Sequence, residues 1–139
     1  MFIDSNVLIA YVKEKDLFQK DSEILLCEIQ NGKISAKASS ISLMELAYVL
    51  KKYKKSNKEI NTAIHAVLSI NNLEFLPITS DLLREAADFI ELYSLSLSDA
   101  IIVATLTRLN IREIVSEDSD FDSLPFLKRI SMKDAITEI

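Results

Sequence analysis

The 139-residue sequence predicts an α/β fold, with parallel strands and helices on both faces in a three-layer α/β/α arrangement. Three observations carry this reading. Short apolar runs suited to buried strands alternate with stretches of helical period. One helical stretch, Ala100-Ile101-Ile102-Val103-Ala104, is apolar on every side, which requires burial inside the fold. The opening run Met1-Phe2-Ile3 stops on a carboxylate, Asp4, and the carboxyl end of a parallel strand is where open α/β sheets place their sites.

Taken in order, residues 1–4 read as the first strand. A short helix over about 6–13 follows, with Val7, Leu8 and Tyr11 at helical spacing. A second helix over about 16–30 turns Ile24, Leu25 and Ile29 inward and ends at Asn31-Gly32, where glycine supplies a left-handed cap. Residues 33–38 suit a second strand. Ser39, Ser40 and Ser42 then offer N-caps for a helix reaching about Tyr53. The helix over about 57–70 has its apolar stripe at Ile60, Ile64, Val67 and Leu68. Residues 73–76 form the third strand, closed by Pro77, and Thr79 or Ser80 caps the helix over about 81–92. The apolar helix spans about 99–109, residues 113–115 make the fourth strand and 127–130 the fifth. The tail from Ser131 suits one last helical turn. No repeat or linker divides the chain, so residues 1–139 are expected to form a single domain.

Composition narrows the chemistry. The chain is 49% hydrophobic and 27% charged, as expected of a soluble globular protein. No apolar run approaches the ~20 residues needed to span a bilayer, and the N-terminus lacks the features of a secretion signal. A single cysteine, Cys27, allows no internal disulfide, which fits a reducing cytoplasm. One glycine, Gly32, excludes both a dinucleotide fingerprint and a P-loop, which need several for close phosphate approach. The net charge of −5 argues mildly against a general nucleic-acid binder. A cluster of acids holding cations would offset that acidity.

Four acids stand at comparable places: Asp4 after strand one, Glu45 early in a helix, Asp99 at a helix start and Asp118 after strand four. Each has a local alternative. Asp4 can cap the next helix, and Asp99 gains from a helix dipole. Ser42-Leu43-Met44-Glu45 matches a capping box, and Asp118 can cap the turn before Phe121. Jointly they point elsewhere. Glu45 and Asp99 are flanked by apolar residues, and carboxylates are rarely buried unless paired or bound to metal. All-oxygen ligands indicate Mg²⁺ or Mn²⁺, and no Cys/His cluster suits zinc. His65, the only histidine, lies beside an apolar stripe and reads as structural; Cys27 has no base nearby in sequence.

At these residues the chain resembles the PIN-domain nucleases, and among them the VapC-like toxins of toxin–antitoxin pairs. Phe2-Ile3-Asp4-Ser5-Asn6-Val7-Leu8-Ile9 is similar to the family's opening signature. Ser40-Ile41-Ser42-Leu43-Met44-Glu45-Leu46 resembles the segment carrying its glutamate, and Leu97-Ser98-Asp99-Ala100-Ile101-Ile102-Val103-Ala104 its Asp-Ala-hydrophobic helix. Ile114-Val115-Ser116-Glu117-Asp118-Ser119-Asp120-Phe121 resembles its Thr-x-Asp-x-Asp-Phe stretch, with Ser116 in place of the commoner threonine. The resemblance implies a PIN-like five-stranded parallel sheet in order 3-2-1-4-5. It implies a metal-dependent endoribonuclease whose acids are Asp4, Glu45, Asp99 and Asp118, with Asp120 accessory and with Asn6 and Ser116 supporting by hydrogen bonds. A homodimer and a small antitoxin are the partners it implies, with RNA as substrate.

The lysine run offers a phosphate-contacting patch at Lys52, Lys54 and Lys55; its local alternative is favourable charge at a helix C-terminus. Lys13 and Arg112 are weaker candidates. Two other functions are carried beside the toxin: a PIN nuclease of RNA processing without an antitoxin, and a Mg²⁺-binding regulatory module without catalysis. A phospho-receiver needs an Asp closing its third strand, where this chain has Leu76-Pro77. A haloacid-dehalogenase phosphatase needs a second acid where Asn6 stands.

Overall fold

Phe2 and Ile3 lie between two parallel ladders in the computed structural model, which describes residues 1–139. On one side the Ile3 N–H donates to the Lys37 carbonyl (2.9 Å), and the Lys37 N–H to that of Met1 (2.9 Å). On the other, the Asp4 N–H donates to Val115 (3.0 Å) and the Val115 N–H to Phe2 (2.9 Å). Beyond these single bridges, β1 (Ala36–Ser39) pairs in parallel with β2 (Leu73–Leu76), and β3 (Glu113–Val115) with β4 (Lys128–Ile130). The named sheets are therefore two-stranded pairs. The opening strand shrinks to two bridges because the Asp4 side chain at once caps α1 (Ser5–Val12), leaving only two residues free to pair.

Successive side chains of an extended run point to opposite faces, and Phe2 and Ile3 join different cores. Ile3 packs with buried residues of α1, α2 (Gln19–Gln30), α3 (Ile41–Lys52), α4 (Asn57–Leu68) and α7 (Met132–Thr137). Phe2 packs with those of α5 (Ser80–Tyr93) and α6 (Leu97–Arg108). α6 is buried from Ala100 through Leu106, as its all-round apolarity predicts. No single helix is long and apolar enough to cross a membrane.

Several local expectations change. The second strand begins at Ala36 and not at residue 33, because the end of α2 consumes the intervening chain. Gly32, at φ +75°, donates to the Ile29 carbonyl, and Lys33 to that of Glu28 (3.1 Å), a double closure of the helix end. On α2 the buried pair is Leu25 and Leu26, and Ile24 is 38% exposed. Leu68 leaves the α4 stripe and is exposed. The capping box forms at Ser56 and Glu59, not at Ser42 and Glu45, because α3 already starts at Ile41. The tail makes α7, capped by the Ser131 hydroxyl.

Candidate active site

Asp4 sits where Phe2-Ile3 ends, buried to 4% exposure. Its Oδ1 accepts from the Ser5 amide (2.7 Å) and the Ser5 hydroxyl (3.3 Å). Its Oδ2 accepts from Asn6 Nδ2 (2.7 Å) and Ser116 Oγ (2.8 Å). Burial nevertheless raises its pKa from 3.8 to about 6, outweighing the bonds from Ser116 and Ser5, while Glu45 and Asp99 push it further the same way.

Ser116, directly after β3, is fully buried and its hydroxyl is saturated. It donates to Asp4 and accepts from Asn6 Nδ2 (2.8 Å) and the Asp118 amide (3.0 Å). Asn6 closes the loop, its Oδ1 accepting from the Glu117 amide at 3.4 Å. Asn6 and Ser116 thus tie the opening run to the turn after β3, which carries Asp118. Asp118 Oδ1 also accepts from the Asp120 amide (2.9 Å), capping the 3-10 turn Ser119–Ser123.

The other two acids arrive on helix starts. Ser96 caps α6, accepting from the Asp99 amide (3.2 Å) and donating to Asp99 Oδ2 (2.7 Å). Partial burial raises the Asp99 pKa, the Ser96 bond opposes this, and Asp118, Glu45 and Asp120 add to the rise. Glu45 stands half-buried on the first turns of α3, and its Oε2 is buried with no hydrogen-bond donor. The Ser42 hydroxyl is likewise buried and unpartnered. Five acids thus share one electrostatic neighbourhood at the carboxyl ends of Phe2-Ile3 and β3. Asp4 and Asp118 do cap the elements that follow them, Asp99 stands in the first turn of α6 where the helix dipole favours an acid, and Glu45 caps nothing. The sequence alone does not single out Ser5 or Glu117. Ser5 adjoins Asp4, while Glu117 works through the fold, accepting from the Met132 amide (2.7 Å).

Glu45 also opens onto a cleft of about 460 Å³ lined by Ser5, Ile9, Met44, Tyr48, Val49 and Ser98. That volume falls in the range of small-ligand sites.

A family model for the PIN domain matches residues 1–127. The chain belongs to the PIN domain family. It is 30% identical over 81 residues to Ribonuclease VapC6 of Methanocaldococcus jannaschii, a match taking in 58% of this chain and 53% of that protein. The chain therefore spans about half the length of the curated relative it matches. Among solved structures it is similar in fold to the Mycobacterium tuberculosis VapC20, a Sarcin-Ricin loop cleaving toxin, at TM-score 0.73 and 19% identity over 91% of this chain and 96% of that one. VapBC2 of Rickettsia felis, bound to a DNA fragment from their promoter, matches at TM-score 0.68 and 18% identity over 94% and 96%. A toxin–antitoxin complex from Klebsiella pneumoniae matches at 0.65 and 20% over the same shares, 94% and 96%.

The donors of this PIN site suit a hard divalent cation. All are oxygens, and Glu45 Oε2 is a buried acceptor without a donor. As the side chains stand, no three of them form a ready ligand set.

The lysines lie apart from the acids. Lys52, at the end of α3, is seven residues beyond Glu45, or about 10 Å along the helix. Lys52 and Lys54 are exposed, and Lys54 takes the left-handed conformation at φ 59°. The Lys55 ammonium lies 3.8 Å from Glu14. Lys13 pairs with Asp16 (3.2 Å) and sits over the Tyr53 ring. His65 and Cys27 are exposed, on α4 and α2, and neither hydrogen-bonds to any of the acids through its side chain.

Proposed function

We propose that this chain is a divalent-metal-dependent endoribonuclease that hydrolyses RNA phosphodiester bonds, acting as a VapC-like toxin. The observation that carries the reading is the buried Asp4 carboxylate, pressed upon by Glu45 and Asp99, in a PIN chain. Stacking acids in one place costs stability unless a cation or substrate chemistry repays it. Asp4, Glu45, Asp99 and Asp118 are the residues that would hold Mg²⁺ or Mn²⁺. When bound, the cation supplies charge neutralisation at the scissile phosphate and a more acidic water.

The protein's own contribution is placement. Asn6 and Ser116 hold Asp4 Oδ2, and the Ser5 amide holds Oδ1, so that carboxylate is oriented before substrate arrives. Ser96 orients Asp99 in the same way. Asp120 contributes charge near Asp99. Water attacks phosphorus in line, the bond from phosphorus to the 3′ oxygen breaks, and the products carry a 5′-phosphate and a 3′-hydroxyl. Lys52, Lys54 and Lys55 contact flanking phosphates.

The same reading takes residues 1–139 as one PIN-like domain. The parallel bridges at Phe2 and Ile3 support a five-stranded order β2-β1-(Phe2-Ile3)-β3-β4, the family's 3-2-1-4-5. It also takes the chain as a cytoplasmic homodimer neutralised by a small antitoxin, a pairing supported by VapBC2 and by the toxin–antitoxin complex from Klebsiella pneumoniae among its structural neighbours. The test is a cleavage assay on mixed RNAs with Mg²⁺ or Mn²⁺ and with chelator, followed by sequencing of the cut ends. Metal-dependent cuts that vanish in Asp4→Asn are expected. Cleavage that survives chelation, or persists in Asp4→Asn, overturns the assignment.

A further inference from the structure

Side by side, β3 and β4 exchange alternating parallel-ladder bonds. The Lys128 N–H donates to Arg112 (2.8 Å), and at the other end the Ser116 N–H donates to Ile130 (3.0 Å). The next bond of that ladder would run from the Met132 N–H to the Ser116 carbonyl. It is missing. The Met132 N–H instead donates to the Glu117 carboxylate, and the Ser116 carbonyl accepts from Arg129 Nη1 at 3.1 Å. The two other nitrogens of that guanidinium grip Asp122 bidentately, Nε at 2.8 Å and Nη2 at 2.9 Å. A side chain of β4 thus takes the place of a backbone donor at the point where the ladder meets the acids.

The residue held in this way is the hub of the site. Ser116 Oγ reaches Asp4, Asn6 and the Asp118 amide. Arg129 fixes its carbonyl, while Asp122 anchors Arg129 from the 3-10 turn that Asp118 caps. Both ends of the turn carrying Asp118 are therefore pinned by one guanidinium. The charge of Arg129 also lies close enough to Glu117 and Asp118 to interact with both.

The geometry points to Arg129 as a positioning residue: through Ser116 and Asp122 it sets the Ser116–Asp118 turn, and thereby the placement of Asp118 relative to Asp4. This rests on the proposed function, since it concerns the same acids. It needs the planar fork and not charge alone, because three bonds leave in fixed directions. Lysine cannot make all three.

The test uses the full chain with Mn²⁺ alone as probe, titrated by electron paramagnetic resonance, beside RNA cleavage kinetics. R129A is expected to weaken Mn²⁺ binding by roughly tenfold or more, as removal of outer supporting groups does. It is also expected to lower kcat with little change in the KM for RNA. R129K is expected to fall with R129A, whereas a role of charge alone predicts its rescue. D122N, at an exposed position, is expected to give a smaller loss of the same kind. If R129A does not fold, R129K and D122N decide. Wild-type Mn²⁺ affinity and kcat in all soluble variants, or full rescue by R129K, overturn the assignment of Arg129. If the wild-type protein neither takes up Mn²⁺ nor cuts RNA, the proposed function falls, and the role of Arg129 with it.

Discussion

Ser116 Oγ lies 2.8 Å from Asp4 Oδ2, although 112 residues separate them in sequence. This bond joins the two ends of the candidate site, because Ser116 follows β3 and Asp4 closes the opening run. The hydroxyl has one proton, which it donates in a hydrogen bond to Asp4; both lone pairs accept, from Asn6 and the Asp118 amide. Ser116→Ala therefore leaves three partners short at once. We expect it to weaken Mn²⁺ binding by ~10–100-fold and to lower cleavage correspondingly. Calorimetric titration with Mn²⁺ measures this, and an unchanged affinity removes Ser116 from the supporting set.

The raised pKa of Asp4 predicts an unusual pH profile. Its folded value is about 6 against an ordinary 3.8, with burial as the main cause. Between those values the folded protein binds more protons than the unfolded chain, so stability falls as pH rises. The contribution is fully present below pH 3.8, where both states are protonated, and is lost as pH climbs through about 6. Its size is on the order of 3 kcal/mol. The shift of Asp99 runs in the same direction. Without divalent cation, urea midpoints are expected to be higher at pH 5 than at pH 8, and Asp4→Asn is expected to flatten the difference. A midpoint that rises with pH in the wild type contradicts the burial account.

Glu45 provides a second electrostatic handle. Its charge pushes against Asp4 and Asp99, and its Oε2 is buried without a donor. Glu45→Gln removes the repulsion while keeping the shape. Apo stability is expected to rise by about 1 kcal/mol, the scale of a one-unit electrostatic shift on a neighbouring carboxylate, while metal-dependent cleavage is lost. Thermal unfolding without metal checks the first half. A large loss of stability would restore the capping-box role that the start of α3 at Ile41 denies.

How far the sequence can be read differs by element. The acids are legible because each stands beside a signal of fixed period or a strand end, as Asp99 does before the apolar run of α6. The start of β1 is not, because Gly32 marks a helix cap without revealing the Lys33 closure that follows it. Ile24 and Leu26 change places because a 3.6-residue period cannot fix a helix's rotation to within one residue when three apolar side chains adjoin. Arg129 is invisible for a different reason. Its partners, Asp122 and the Ser116 carbonyl, lie 7 and 13 residues away, and no local pattern links a strand residue to a neighbouring strand's carbonyl.

The lysine run separates two roles that look alike in sequence. At the C-terminus of α3, Lys51 and Lys52 meet the negative end of the helix, which accounts for their presence without RNA. Lys52 and Lys54 are nonetheless exposed, whereas Lys55 is engaged near Glu14. Pairing an ammonium with a phosphate releases counterions, so each such pairing abolished reduces the salt slope of single-stranded RNA binding by about 0.7. Replacing Lys52, Lys54 and Lys55 by Ala together is expected to lower the slope, with Lys52 and Lys54 accounting for most of the change. The assay uses the Asp4→Asn background, so that RNA is bound and not cut, and compares affinities across a salt series. A slope equal to that of the parent assigns the lysines to the helix end alone.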